Sequence, residues 1–356
     1  MPSKTLTCGG KHTVSVDSKG ALWSFGQNDY GQTGKDINDP KISLVVLRTR
    51  ISEVTCGRNH TLCLTREGRV WAFGNNKVGE CGFGRSNVCI KTPREHSSLS
   101  NIAAISCGDR CSMCVNASGE VFAFGNNENG NLGLGDYLHR YTPTKLTAIN
   151  EIAVVANGIS HTVFLNYSGH LYTCGNNDWK QMGFSDINQS STTPKLLSSI
   201  GFREIASKSF HSICLGNDGK IYYFGKMTHS SFSVEFTEIE TRFKVASIFC
   251  GNTYLAVIDE EGFVWTCGWN AVDDYGNLPP FVQFQNDILS ARLIGCGEEH
   301  LVIKTDEKTF GVSKGNAESQ GFPSGFNLGP TELPEVYNHS IGLSMNTFAH
   351  VKSARK

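Results

Sequence analysis

The stretch CGRNHTLCLTREGRVWAFGNNKVGECG, running from Cys56 to Gly82, decides the fold. In Thr61-Leu62-Cys63-Leu64-Thr65, apolar side chains alternate with small or polar ones, the period of a β-strand. Glu67-Gly68 follows, a turn in which glycine supplies the positive φ that a tight hairpin needs. A second strand, Val70-Trp71-Ala72-Phe73, ends at Gly74, and a tail of the form Asn-x-x-Gly-x-x-Gly runs from Asn76 to Gly82. The unit is a hairpin followed by a shaped loop.

The same unit recurs along the chain, and such internal repetition outranks any local signal. The first half-motif reads CGGKHT from Cys8, CGRNHT from Cys56 and CGDRCS from Cys107, then NGISHT from Asn157, SKSFHS from Ser207, CGNTYL from Cys250 and CGEEHL from Cys296. A faint eighth, EVYNHS, begins at Glu335. The slot of His12 is filled in turn by His60, Cys111, His161, His211, Tyr254 and His300, at spacings of 48, 51, 50, 50, 43 and 46 residues. The second half-motif, aromatic-x-aromatic-Gly or a variant of it, ends at Gly26, Gly74, Gly125, Gly175, Gly225 and Gly268, with a worn copy around Phe310. The glycine-rich tail is plain at Asn28–Gly34, Asn76–Gly82 and Asn127–Gly133. About 50 residues hold four short strands, and one such sheet cannot bury both faces by itself. Units stacked radially bury those faces and leave only short edges. The expected architecture is all-β, a seven-bladed propeller spanning residues 1–356 as one domain.

The Cys-Gly-x-x-His-Thr copies, the Trp-x-Phe-Gly copies and Asn28-Asp29-Tyr30-Gly31-Gln32-Thr33-Gly34 closely resemble the regulator-of-chromosome-condensation repeat. The resemblance covers roughly residues 5–345, sharpest in the first three units and weakest after Lys226. It implies seven blades, with the N- and C-terminal strands sharing one blade to close the ring. Members of that family include nucleotide-exchange factors, chromatin binders, light sensors and parts of large ligases, so the fold leaves function open. The family's Ran exchanger inserts a hairpin wedge, whereas no motif spacing here exceeds 51 residues. Its chromatin contact uses a basic N-terminal tail, whereas only Lys4 precedes the first copy here. The light sensors set tryptophans in Gly-Trp-Arg-His-Thr, a setting that none of these five tryptophans has.

Formal net charge is −1, which gives no general attraction to nucleic acid or to acidic membrane. The charge is unevenly distributed. Residues 1–130 hold 15 Lys and Arg against 11 Asp and Glu, and residues 131–356 hold 17 against 22. No run is long enough to span a membrane, and Met1 to Cys8 lack the apolar core of a secretory signal, so a cytoplasmic or nuclear protein is expected. The 13 cysteines invite a metal reading, above all Cys107, Cys111 and Cys114. Repeat slots account for twelve of them without metal, as small buried fillers, and leave only Cys89 in a loop. No metal, cofactor or structural disulfide is therefore expected. The recurring histidines are read the same way, hydrogen-bonding backbone in every blade rather than acting as a catalytic base. The glycine-rich runs Gly26–Gly34 and Gly125–Gly135 lack the helix and the Gly-Lys-Ser/Thr of a phosphate loop.

Departures from the repeat say more than the repeat, because the fold does not demand them. Trp179-Lys180 stands where the first unit has Tyr30-Gly31, and Trp269 stands where other units carry Asn75, Asn126 or Asn176. Both tryptophans fall in the loop after the second half-motif, which places them on one rim, where exposed aromatics anchor protein interfaces. Trp179, Lys180, Trp269, Tyr30 and Tyr275 are the candidate partner-binding residues. Asp259-Glu260-Glu261, Asp273-Asp274 and Glu298-Glu299 add an acidic arc. The function expected is a non-catalytic platform for a protein partner, with small GTPases a candidate class and no small-molecule substrate. The alternatives are an exchange factor for a Ran-like GTPase and, less in keeping with the missing basic tail, a chromatin-associated protein.

Overall fold

The structure is a computed structural model and describes residues 5–35, 42–85, 88–227, 233–268, 280–284, 288, 290–298, 300–313 and 331–332. These residues form seven four-stranded antiparallel sheets, drawn in turn from residues 6–45, 51–95, 102–145, 152–198, 202–239, 245–283 and 291–332. In each sheet the strands lie side by side in chain order, from an inner strand at the ring axis to an outer strand at the circumference. Blade 2 shows the pattern: Ile51–Cys56, His60–Thr65, Val70–Gly74 and Ile90–Glu95. Its register pairs Cys56 with Thr61, Cys63 with Trp71 and Trp71 with Glu95.

Burial explains the residue choice. Every residue of His60–Thr65 is buried, because the second strand is flanked within its sheet and covered on both faces by neighbouring blades. The outer strand Ile90–Glu95 is half open to solvent. Pro93, Pro143 and Pro194 sit in such outer strands, where a missing N–H costs no ladder bond. The core lies between blades. Val14 and Leu22 of blade 1 pack on Val54, Cys63 and Phe73 of blade 2, and Leu62 and Val70 of blade 2 pack on Ile105 and Phe124 of neighbouring strands.

The all-β, seven-bladed ring is as expected, but it closes differently. Among the described residues, no blade borrows a strand from the opposite terminus. The inner strand of blade 1 begins at Leu6, so each unit is already a complete blade and needs no donated edge. Side chains make the closure: the backbone at Gly295 lies against Leu6 and Cys8, and Thr13 meets His300 at 3.2 Å. The faint copy at Glu335 lies outside the described residues.

Candidate interaction face

A short turn carrying Cys-Gly-x-x-His joins the inner strand of each blade to the second. Gly57 is a glycine because blades crowd there: a Cβ would stand 2.1 Å from Cε1 of His60 and 2.5 Å from the carbonyl oxygen of Gly108 in blade 3. The histidine then reaches sideways. Nε2 of His60 lies 2.9 Å from Oγ of Ser112 in blade 3, and that hydroxyl donates to the carbonyl of Glu80 at 2.8 Å. The hydroxyl proton is thereby committed, so the imidazole N–H is the donor. His12 meets Thr61 at 3.1 Å in the same way, with Thr61 donating to the carbonyl of Gln32 at 2.8 Å, and His161 meets Ser212 at 2.7 Å. These partners are side-chain hydroxyls of the next blade, which corrects the expectation of a backbone partner. A bond between blades welds the ring where a bond within one blade would not.

Where the histidine is missing, the ring improvises. Cys111 leaves Thr162 of blade 4 without an imidazole, and Asn157, in the cysteine slot of blade 4, donates to that hydroxyl at 2.9 Å. Tyr254 of blade 6 donates its phenol to the carbonyl of His300 at 2.8 Å. In blade 6 the hydroxyl slot is Leu255, so His211 finds no side-chain hydroxyl there.

These buried groups are poorly suited to catalysis. Burial holds His12 and His161 down at about 3 and His60 and His211 at about 4, so they stay neutral near pH 7. Burial pushes the thiols of Cys8, Cys111 and Cys296 up to about 12, so they stay protonated and weakly nucleophilic. Cys111 packs on the blade 4 side of its sheet and Cys114 on the blade 2 side, so the two do not converge. Among the described residues no group of three or more His, Cys, Asp or Glu is placed to hold a metal ion.

The axis itself is occupied by a departure from the repeat. The inner strands enclose about 160 Å³ of free space. Lys208 takes the slot that is glycine in the other six units, and its Nζ donates across the channel to the carbonyl of Cys8 at 3.2 Å. Its charge acts on His12, His60, Asp109 and Cys296, groups of four other blades, as an ammonium near the axis must. Above it Arg58 bridges toward Asp109 at 4.0 Å and Glu298 at 3.3 Å. Burial raises the Asp109 carboxyl, and the nearby cations Arg58 and Lys208 oppose that rise. The channel is stapled rather than open.

The loops from third to outer strand lie on the same face as these turns. In each, the tail asparagine fastens its own loop: the side-chain oxygens of Asn28, Asn76 and Asn127 accept from the N–H of Thr33, Cys81 and Leu132 at 2.9, 3.0 and 2.8 Å. A fourth copy, with Lys180 in place of its first glycine, is Asn177–Gly183, where Asn177 accepts from Met182 N–H at 3.0 Å. The loops hook over the outer strand of the next blade, with Gly84 N–H donating to the carbonyl of Tyr141 and Gly135 N–H to that of Thr192, both at 2.8 Å.

Trp179 and Lys180 sit in the hook of blade 4. Lys180 adopts φ 55°, in the slot where Gly31, Gly79 and Gly130 have φ 83°, 93° and 70°. A lysine there carries strain that glycine would not. The Trp179 side chain is 44% exposed, and Nζ of Lys226 from blade 5 lies 3.8 Å from its ring centroid. Lys180 reaches Glu235 of blade 5 at 3.8 Å. Tyr30, the equivalent of Trp179 in blade 1, is half-buried beneath Lys77 of blade 2 at 5.6 Å. Tyr30, Arg58, Lys77, Glu80 and Arg110 line a cleft of about 390 Å³ on this face. The face thus unites Tyr30, Trp179 and Lys180, while Trp269 and Tyr275 lie outside the described residues. Sequence reasoning missed Lys77 and Lys226, whose pairings depend on contacts between blades. It also missed Lys208, which a broken glycine slot could have revealed.

The sequence model of the RCC1-like domain matches residues 2–234. Among characterised proteins, the chain is 47% identical over 143 residues to the probable E3 ubiquitin-protein ligase HERC4 of Rattus norvegicus, a match covering 39% of this chain and 14% of that protein. It is 29% identical over 143 residues to the ultraviolet-B receptor UVR8 of Arabidopsis thaliana, covering 39% of this chain and 32% of the receptor. Among solved structures it is similar to Prp20p from Saccharomyces cerevisiae, with 22% identity and a TM-score of 0.74 over 88% of this chain and 83% of that one. It is also similar to human WBSCR16, with 23% identity and a TM-score of 0.73 over 85% and 87%. At these identities the structural likeness is one of fold.

Proposed function

Since the chain belongs to the RCC1-like domain family, we propose that it serves as a non-catalytic platform, binding a protein partner on the face that carries the blade hooks. The observation that carries this reading is Trp179-Lys180. An indole held 44% exposed, under a cation and beside a lysine in a left-handed conformation, is costly to keep on a surface that the fold could close with glycine. The buried imidazoles and thiols support a platform over an enzyme, since they are engaged between blades and poorly placed to exchange protons. Thirteen cysteines, none in a disulfide, suit a reducing compartment, cytoplasm or nucleus.

Small GTPases are the partner class to test first. The report of the Prp20p structure concerns its binding to Gsp1p and histones. In the exchange-factor variant of this reading, the chain would accelerate release of nucleotide from such a GTPase. The test is binding of purified small GTPases to the immobilised chain, followed by release of labelled nucleotide. Trp179→Ala is expected to weaken a true partner by roughly tenfold or more while leaving the melt intact. Partner binding that Trp179→Ala leaves unchanged would remove this face. Binding without accelerated release would leave the plain platform.

A further inference from the structure

Around the rim of blades 1 to 5, aromatic rings lie under cations. Lys77 stands 5.6 Å from the Tyr30 ring across the blade 1–2 junction, Arg85 stands 5.3 Å from Tyr141 across the blade 2–3 junction, and Lys226 stands 3.8 Å from Trp179 across the blade 4–5 junction. Within blade 2, Arg94 stands 4.5 Å from Phe83. None of these four cations has a carboxylate within ion-pair distance among the described residues. Other cations of blades 2 and 3 do: Arg69 with Glu95 at 2.6 Å, Arg140 with Asp136 at 2.7 Å and Lys145 with Glu120 at 2.5 Å.

Ring stacking fixes each cation in place and leaves its positive charge uncompensated. The surplus is local. Residues 51–95 hold seven Lys and Arg against four Asp and Glu, whereas residues 245–283 hold five Asp and Glu and no Lys or Arg. The third-to-outer-strand loops of blades 2, 3 and 4 also expose apolar side chains: Val88 at 65%, Tyr137 at 59%, Leu138 at 68% and Ile187 at 48%.

Resting on the platform reading, we propose that this arc binds a protein segment in which acidic residues alternate with apolar or aromatic ones. The carboxylates would meet Lys77, Arg85, Arg94 and Lys226, and the apolar residues would cover Val88, Tyr137, Leu138 and Trp179. A nucleic acid fits less well. Asp178 beside Trp179, Asp136 beside Tyr137 and Glu128 at His139 interrupt the positive surface and oppose a continuous row of phosphates.

The test is fluorescence anisotropy of the full chain with a labelled synthetic peptide of glutamates interspersed with leucine and phenylalanine. Its counterpart carries lysine for every glutamate. The acidic peptide is expected to bind, to weaken as salt rises, and to lose roughly tenfold in affinity on Lys226→Glu or Arg94→Glu. Arg66→Glu, on the opposite face, is expected to leave binding unchanged. Lys226→Met keeps an aliphatic stem over the indole and replaces Lys226→Glu should that variant unfold. Equal binding of both peptides, or indifference to both reversals, would overturn the proposal. So would a labelled single-stranded RNA that binds more tightly than the peptide and is lost in the same variants. If the acidic peptide fails while a photo-crosslinking residue at position 178 still joins the chain to a protein, the acidic chemistry falls and the platform reading survives.

Discussion

Blades 2 and 5 are built on the same four strands and held in the ring by different means. Blade 2 keeps every signature: Gly57 lets its neighbours close in, His60 donates to Ser112, and Gly79 turns its hook over blade 3. Blade 5 has Lys208 for the glycine, and the hydroxyl slot facing its histidine from blade 6 is filled by Leu255. In their place, Tyr222 and Phe236 stack at 5.1 Å with Phe202 against the edge of Tyr222 at 5.3 Å, and Lys208 ties blade 5 to blade 1. The sheet therefore depends on burial between neighbours, and the signature residues are one of several ways to weld it. Where the signature lapses, the chain has freedom to place something else.

Acid should expose the weld most strongly. His12, His60, His96, His161 and His211 are held at about 3 or 4 by burial, against an ordinary value near 6.5. The unfolded chain binds protons that the ring refuses, so their contribution is complete above about pH 6.5 and is lost as pH falls toward 4 and 3. Each histidine costs about 1.4 kcal/mol per pH unit within that window. Burial raises the Glu80 and Asp109 carboxyls, which act in the opposite direction, two groups against five. Circular dichroism during acid titration is expected to show cooperative loss of the ring between about pH 6 and 4. A ring still folded at pH 3.5 would mean that the histidines are not buried as described.

The glycine slot should separate the two blades next. Gly57→Ala places a Cβ against His60 and the carbonyl oxygen of Gly108, and overpacking of that kind costs about 3 kcal/mol. Lys208→Ala removes one charge-assisted bond across the axial channel, at about 1 kcal/mol. Denaturant melts of the two variants measure the difference. Equal losses would mean that the crowding around blade 2 is no tighter than that around blade 5.

The first four blades were legible because their glycines, histidines and strand alternation recur in register, each for a steric or hydrogen-bonding reason. Closure was misread because a half-motif at Glu335 suggested an exchanged strand, while completeness of blade 1 depended on Leu6-Thr7-Cys8, too short to declare itself. The histidine partner was misread because the hydroxyl that follows each histidine is adjacent in sequence to the wrong one: Thr61 follows His60 but serves His12. Trp179-Lys180 stood out as a break in pattern. Lys226, 47 residues away, carried no mark linking it to Trp179.

Cys111 and Asn157 look like two unrelated lapses and act as one. Cys111 withholds the donor that Thr162 needs, and Asn157 supplies it from inside blade 4. Cys111→His alone is expected to destabilise, since its ring would compete with Asn157 for one hydroxyl. Adding Asn157→Cys rebuilds the arrangement of the first two blades and should recover about 1 kcal/mol, measured as the coupling in a double-mutant cycle. Strict additivity would show that the two positions do not share Thr162.

The smallest effect concerns Lys180, the point where blade 4 departs from blade 2. Gly79 turns the hook of blade 2 at φ 93°, and Lys180 turns that of blade 4 at φ 55° with a side chain in place. A left-handed conformation costs a residue with a Cβ about 1–2 kcal/mol. Lys180→Gly removes that strain, but the glycine gives the unfolded chain more freedom, which offsets about 0.4–1 kcal/mol. The Lys180–Glu235 pair lost with it is largely exposed and contributes little. A net stabilisation of about 0.5 kcal/mol remains, a rise of roughly 1–2 °C in melting temperature. The same variant is expected to bind a partner of the Trp179 face less well, because the freer backbone lets the indole wander from under Lys226. A variant that is both less stable and equally competent would show that Lys180 is held there by packing alone.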